Sequence, residues 1–569
     1  MCGIFSLVES NSSFNSNEII DKVSRTLFHR GPDSKGYKIF NNDEESLLMV
    51  HTRLKLVGDD TTQPISNKEQ TVFLTINGEI FNWKELQTEL DYTCTKCDCE
   101  IIIPLYEKYK DDLKTLFLKL EGQFSFILYD TRNNYILVGR DRIGVTPLYI
   151  GTSTKNKRFA VASEMKCLID LVDDISVFNP RQYLYESLEN IFDKLTFHKY
   201  LKYENYQESK GFEYIDGDKD VITSQIREKL TNSVRSQLQD LVKGNNTEDF
   251  GVLLSGGLDS SLIASLIVKL AKEMGYTRKI KSFSIGVNSE VPDLVAARKA
   301  AKYLDTEHYE FHFSIKEGID NLDNVIYHIE SYDCTSVRAS TPMYLLAYKI
   351  KQKFPQLKVL FSGELSDELL CYLYGANAPT EDLFQFETIS LVNNVHLFDC
   401  LRANKTCMAH SIEVRVPFTD SKYVDYILQL HPKWKTFGKN KMSENNTPIM
   451  EKQILRDSFV GYLPNEILYR KKEQFSDGVS GFNGKENNWI DALKHYSEEK
   501  YNDNYFKISS CNYTYNRPDT KEKLLYREKF QNIFNNNKLN TSEFVVKTWE
   551  PKWSDSKDPS GRIQNFWSL

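Results

Sequence analysis

Residues 250–261 read FGVLLSGGLDSS, and this stretch decides the architecture of the larger part of the chain. FGVLLS is a short apolar run of strand length. The following SSLIASLIVKLAKEMG, residues 260–275, carries the 3.6-residue period of a helix. Between them a Gly-Gly turn allows backbone N–H groups to close around a phosphate. Ser255 and Ser260 add hydroxyl donors, and the helix N-terminus favours negative charge. No Gly-Lys-Ser/Thr follows, so the loop is not of the Walker type. Downstream the alternation continues: KSFSIGV, a helix containing DLVAARKAAKYL, HYEFHF, a helix through TPMYLLAYKIKQKF, then KVLFSGE. Strands alternating with helices predict an α/β doubly wound parallel sheet. After about residue 380 the pattern is mostly helical.

Upstream the rhythm differs. MCGIFSLVE, LLMVHTRLKLV, TVFLTINGEIF, GQFSFILYD and YILVGRDR are apolar or alternating runs broken by Gly, Asn and Asp. Helical pieces such as NEIIDKVSRTLFHR and CEIIIPLYEKYK lie between them. This predicts an α+β domain of antiparallel sheets between helices. The resulting division is residues 2–190, a polar linker 191–219, a second domain 220–500 and a tail 501–569. A chain of 569 residues has room for two catalytic domains.

A net charge of -7 argues against a nucleic-acid surface. No apolar run is long enough for a membrane span, and MCGIFSLVES lacks the features of a signal peptide, so a cytoplasmic protein is expected. Its ten cysteines are expected to be reduced there. Cys94, Cys97 and Cys99 cluster without a second ligand pair, and His308 and His312 fall in an alternating strand pattern. Neither set is assigned a metal.

Removal of Met1 exposes a cysteine that carries nucleophile and base together, because its own α-amine can take the thiol proton. The segments MCGIF, HRGPDSKGY (29–37), HTRLKLV (51–57), INGEIFN (76–82), DCE (98–100) and GRDRIGVTPLYIG (139–151) together resemble the class II, N-terminal-nucleophile glutamine amidotransferases. The resemblance implies Cys2 as nucleophile, Arg53 on the glutamine α-carboxylate, Asp98 on its α-amine and Glu79 at the amino-acid end. It places Asn77 and Gly78 in the oxyanion hole.

SGGLDSS likewise resembles the pyrophosphate loop of ATP-pyrophosphatases. SVRASTPMYL (336–345), SGELSDE (362–368), FDCLRANKTCMAHSIEVRVPF (398–418), RKKEQFSDGV (470–479), TKEKLLYREKF and DPSGR (558–562) narrow the resemblance to the asparagine synthetases. The family implies glutamine, aspartate and ATP as substrates, Mg²⁺ as the metal and a possible homodimer. ATP falls to Leu253, Ser255, Gly256, Gly257, Asp259, Ser260, Ile285, Ser362, Gly363 and Glu364. Asp259 and Asp367 are the expected metal ligands, with Lys472 on the phosphates and Glu364 at the catalytic centre. Thr335 and Arg338 are expected in a loop that grips pyrophosphate or aspartate. Ammonia made at Cys2 is expected to pass through the protein to a β-aspartyl-AMP intermediate.

The family's GEGSDE reads GELSDE here, with Leu365 in place of glycine and the following LLCYLYGANAP shortened. LVKGNNTE (241–248) is extra. The expectation is that the shortened segment reshapes the loop so that Leu365 keeps a negative φ and packs inward. The alternative is a strained loop. Two other functions stay open: the same chemistry on a different carboxylate, and a weakened relative that binds nucleotide or a partner.

Overall fold

A computed structural model describes residues 1–10, 16–42, 44–56, 58, 61–193, 195–203, 213–242, 250–371, 373–442, 448–481, 488–534 and 545–554. DPSGR and all but the first two residues of the extra segment 241–248 lie outside the described residues, as does much of the linker. The chain divides into two units. The first comprises Met1–Lys202 with Met408–Glu413 and Lys529–Lys547; the second is the remainder.

In the first unit, β1 (Gly3–Ser10), β2 (Ser34–Asn41), β3 (Glu45–Arg53), β8 (Tyr149–Ser153), β9 (Arg158–Ala162) and β10 (Asp174–Val177) form one sheet, ordered β10-β8-β9-β1-β3-β2. The other sheet is β12-β11-β7-β6-β5-β4. It is built from β4 (Ile65–Ser66), β5 (Val72–Ile80), β6 (Gly122–Asp130), β7 (Tyr135–Arg140), β11 (Gln182–Ser187) and β12 (Phe197–Lys199). Alternation along the strands sorts the side chains into layers. Phe73, Ile127 and Tyr129 join Leu47, Met49, Ile4 and Val8 in a core between the sheets. Leu74, Ile76, Phe126 and Leu128 face the other way, onto Leu105, Tyr106, Leu116 and Phe117 of the helical layer. A helix α1 (Ser16–Leu27) lies against β1 and β3. Both sheets are covered on both faces, which is why β1, β3 and β5 read as nearly unbroken apolar runs.

The second unit begins with α2 (Lys219–Val242) and carries a sheet ordered β15-β14-β13-β16-β17. Its strands are β13 (Phe250–Leu253), β14 (Lys281–Gly286), β15 (Glu307–His312), β16 (Val359–Phe361) and β17 (Glu413–Arg415). β14 pairs parallel with β13 and β15, and β13 pairs parallel with β16, as the strand–helix alternation requires. α3 (Leu258–Glu273), α4 (Pro292–Leu304) and α5 (Cys334–Lys353) connect the strands. His308 lies in β15, with Ser282 and Ser284 hydroxyls against its ring nitrogens. Among the described residues no helix is long and apolar enough to cross a membrane.

The segment GRDRIGVTPLY turns out to be scaffolding. Buried Asp141 accepts from the backbone N–H groups of Ile143, Gly144, Val145 and Thr146. Buried Arg140 donates to the carbonyls of Thr146, Phe178 and Gly144 at 2.6–2.8 Å. Burial raises the Asp141 carboxyl, while Arg140 and the N–H donors act against that rise. Asp141→Ala leaves several donors unsatisfied in a dry turn. Denaturant unfolding of the first unit should show a loss of roughly 3 kcal/mol.

Candidate active sites

Cys2 sits immediately before β1, where three polar contacts fix it. Its N–H donates to Asn77 Oδ1 at 2.8 Å. Its carbonyl accepts from Arg30 Nε at 2.9 Å, and its Sγ lies 3.9 Å from the Leu54 carbonyl. Arg30 is fully buried and is held in turn by Glu164 at 2.8 Å. The role of Arg30 was not read from HRGPDSKGY, because a motif does not say which of its members points inward. Gly31 in that segment permits a close approach: a Cβ there would lie 2.3 Å from the Thr52 backbone, beside Arg53.

Asn77 is 0 % exposed. With Oδ1 committed to Cys2, its Nδ2 is buried and has no hydrogen-bond partner among the described residues. A buried unpaired donor costs about 1–3 kcal/mol, so its presence beside a thiol marks a place where an acceptor arrives. Gly78 has φ +143, and a Cβ on it would come 2.0 Å from the Gln123 carbonyl; only glycine fits. Asp98 accepts the Ile80 N–H at 2.8 Å, Arg53 donates to the Thr61 carbonyl, and Glu79 is buried. Burial pushes the Cys2 thiol up, the N-terminal ammonium pulls it down, and Glu79 and Arg53 both act on it electrostatically. The structure therefore gathers Cys2, Arg53, Asn77 and Glu79, with Asp98 on the same strand edge as Gly78. Met1, while attached, makes the Cys2 nitrogen an amide, and its own buried amine pairs with Glu413.

In the second unit Leu253 ends β13, and Ile285 is the penultimate residue of β14. Gly256 turns the loop at φ +73, where a Cβ would lie 2.3 Å from Ala297 N. Gly257 caps α3. The loop is braced internally: Ser255 Oγ and Ser260 Oγ are 3.0 Å apart, and Gly257 N–H donates to Ser255 Oγ at 3.3 Å. Gly363 lets its backbone pack on the loop, since a Cβ there would lie 2.8 Å from Ser260 N. Buried Ser362 donates its N–H to the Arg415 carbonyl. Glu364 pairs with Arg402 at 2.9 Å; burial pushes its carboxyl up and Arg402 opposes this.

Asp259 and Asp367 come together through a residue that the sequence reading missed. Lys452 Nζ lies 2.7 Å from Asp259 and 2.7 Å from Asp367, so the two carboxylates are no more than twice that distance apart. Lys472 reaches Asp367 at 2.6 Å and Asp259 at 3.8 Å, and Ser366 Oγ donates to Asp259 at 2.7 Å. Burial alone would raise the Asp367 carboxyl, but Lys452 and Lys472 hold it well below its usual range. Lys452 is 3 % exposed and has φ +58, a left-handed backbone for a side chain kept in one place. In MEKQILRD it looks like an ordinary surface lysine of an amphipathic helix. Two neighbouring carboxylates are the oxygen donors that Mg²⁺ takes alongside phosphates and water, and here both are paired with lysine ammoniums.

Two expectations are corrected. Thr335 and Arg338 lie in the first turns of α5, after its N-cap Asp333, and not in a loop. Arg338 is buried in a bidentate pair with Glu522 at 2.8 and 2.6 Å, and Thr335 donates to Asp333 at 2.8 Å. Arg338 thus anchors α5 to the helix Lys521–Phe534 through the Nε–Nη2 edge of its guanidinium, which meets both oxygens of one carboxylate. Leu365 packs inward, with no exposure, but its φ is +75. The shortened segment has therefore not relaxed the backbone.

The family model described as a glutamine amidotransferase domain matches residues 1–205, and the one described as asparagine synthase matches residues 225–381 and 372–555. Over 99% of its length the chain is 38% identical to a probable glutamine-hydrolysing asparagine synthetase of Dictyostelium discoideum, covering 99% of that protein. It is 36% identical to asparagine synthetase B of Escherichia coli (strain K12) and 38% to asparagine synthetase 1 of Saccharomyces cerevisiae, covering 98% of each.

Leu365→Gly separates strain from packing. Relief of the left-handed backbone is worth about 1–2 kcal/mol, whereas losing a buried leucine costs about 2–5 kcal/mol. The variant should be less stable in urea unfolding and slower in pyrophosphate release. A faster release would show that strain, not packing, limits the loop.

Proposed function

This chain belongs to the glutamine-hydrolysing asparagine synthetases and makes L-asparagine from L-aspartate with glutamine as nitrogen donor at the expense of ATP; from that premise we propose how its residues divide the work. The observation that carries the division is the unpaired Nδ2 of Asn77 beside Cys2.

Once Met1 is gone, the Cys2 α-amine takes the thiol proton and the sulfur attacks the glutamine carboxamide carbon. Asn77 Nδ2 and the Gly78 N–H receive the oxyanion. The C–N bond breaks, the amine returns its proton to the leaving ammonia, and water then hydrolyses the γ-glutamyl thioester to glutamate. Arg53 holds the substrate α-carboxylate, Asp98 the α-amine, and Glu79 orients that end. A free thiol nucleophile is best kept in a reducing compartment, which supports a cytoplasmic location.

In the second unit the aspartate β-carboxylate attacks the α-phosphorus of ATP, giving β-aspartyl-AMP and pyrophosphate. Ammonia then displaces AMP. The loop Ser255–Ser260 receives the phosphates, and Leu253 and Ile285 lie at the carboxyl ends of strands where the adenine is received. Mg²⁺, held by Asp259 and Asp367, would offset triphosphate charge. Lys472 and Lys452 supply cations where pyrophosphate charge accumulates. Glu364, braced by Arg402, borders the same loop.

Paired variants test this division. Cys2→Ala should abolish glutamine-dependent synthesis and keep ammonia-dependent synthesis. Asp259→Asn should stop pyrophosphate release and keep basal glutamine hydrolysis. Synthesis from glutamine by Cys2→Ala, or from ammonia by Asp259→Asn, would overturn the assignment. Asn77→Ala should lower glutaminase kcat by roughly 10²–10³, with little change in KM.

A further inference from the structure

β5 carries both oxyanion donors and is paired with β6 along its whole length, from Val72 to Ile80. On its other edge β4 is only two residues long and covers Phe73 and Leu74 alone. Among the described residues no strand continues the ladder beyond Leu74 in the register given by β4. In an antiparallel strand, residues of one parity turn both N–H and C=O to the same edge. Leu74 faces β4, so Ile76, Gly78 and Ile80 face this uncovered edge.

Side chains take the place of the missing strand. Ile76 N–H donates to Gln63 Oε1 at 2.9 Å, and the Ile76 carbonyl accepts from His51 Nε2 at 3.1 Å. The Gly78 carbonyl accepts from Cys99 Sγ at 3.4 Å, and Ile80 N–H donates to Asp98 Oδ2 at 2.8 Å. By the same parity the Gly78 N–H points to this edge, where the substrate oxygen has to sit. A full neighbouring strand would take that N–H for itself.

His51 comes from β3, in the opposite sheet, and is 0 % exposed. A carbonyl can only accept, so Nε2 carries the proton. The other nitrogen, Nδ1, is then a bare acceptor, buried and without a partner among the described residues. Burial pushes the imidazole down to about 3, so the ring is neutral at working pH and its tautomer does not change. An apolar side chain would fill this position without an unsatisfied nitrogen. The donor at Nε2 is what distinguishes histidine here, and its target is the peptide that joins Ile76 to Asn77.

We propose that His51 is a positioning residue of the glutaminase: with Gln63 it stands in for the absent strand, fixing the Ile76–Asn77 peptide so that Asn77 Nδ2 and the Gly78 N–H stay directed at the oxyanion. The proposal rests on the glutaminase reading of Cys2 and Asn77. It adds that the open edge is required for catalysis and that side chains from a second sheet hold it open.

The test compares His51→Leu with His51→Gln, whose amide nitrogen can reach the same carbonyl. His51→Leu should lower glutaminase kcat roughly ten- to a hundredfold, less than deletion of an oxyanion donor. KM for glutamine and the rate of Cys2 alkylation by iodoacetamide should stay within about twofold. His51→Gln should recover most of kcat. Wild-type kcat in His51→Leu overturns the proposal. So does a parallel loss of kcat, KM and Cys2 alkylation in both variants, which would mark a purely structural residue. Glutamine hydrolysis by Cys2→Ala at the wild-type rate would instead remove the underlying reading, whatever His51 does.

Discussion

A hydrogen-bond donor kept buried and unpaired is the constraint on which the first unit depends. Asn77 Nδ2 has no partner among the described residues, although burying it without one costs free energy. Such a group persists only where its surroundings leave it no alternative. Here Oδ1 is bonded to the backbone of Cys2, Gly78 admits no side chain, and the strand edge is satisfied by side chains. The two covered sheets supply the rigidity, and Arg30 ties Cys2 to the same frame.

The second unit solves a different problem. Its candidate centre must receive a highly charged nucleotide, so it concentrates ions in place of an unpaired neutral donor. Asp259, Asp367, Lys452 and Lys472 form a mutually neutralised group that is mostly buried. Taking one such charge from water alone would cost several kcal/mol, and burying all four together offsets that cost. The left-handed backbones of Leu365 and Lys452 lie beside this group, and both are held by burial. Local strain tolerated next to a charged centre is expected where geometry is set by function.

Membership of a recognisable segment did not predict what a residue does. Arg140 and Asp141, within one of the most distinctive stretches, satisfy a turn. Arg338, near the start of another, pairs one edge of its guanidinium with Glu522. Lys452 lies outside the quoted segments and holds two carboxylates together. An arginine or lysine is chemically able to bind phosphate anywhere in a sequence. Whether it does depends on which groups the fold brings to it.

The sequence by itself determined the two-unit architecture, the parallel sheet behind FGVLLSGGLDSS, and the antiparallel sheets behind MCGIF and INGEIF. These are legible because they depend on local period, turn residues and contiguous motifs, which are properties of neighbours along the chain. Tertiary structure alone decided the rest. His51 meets Ile76 across two sheets, Lys452 meets Asp259 across 193 positions, and Arg338 meets Glu522 across 184. It also decided that Leu365 keeps φ +75 while its side chain packs fully inward. Pairings of this kind depend on which faces the folded layers bring together, and the pattern of one segment carries no record of the surface it will meet.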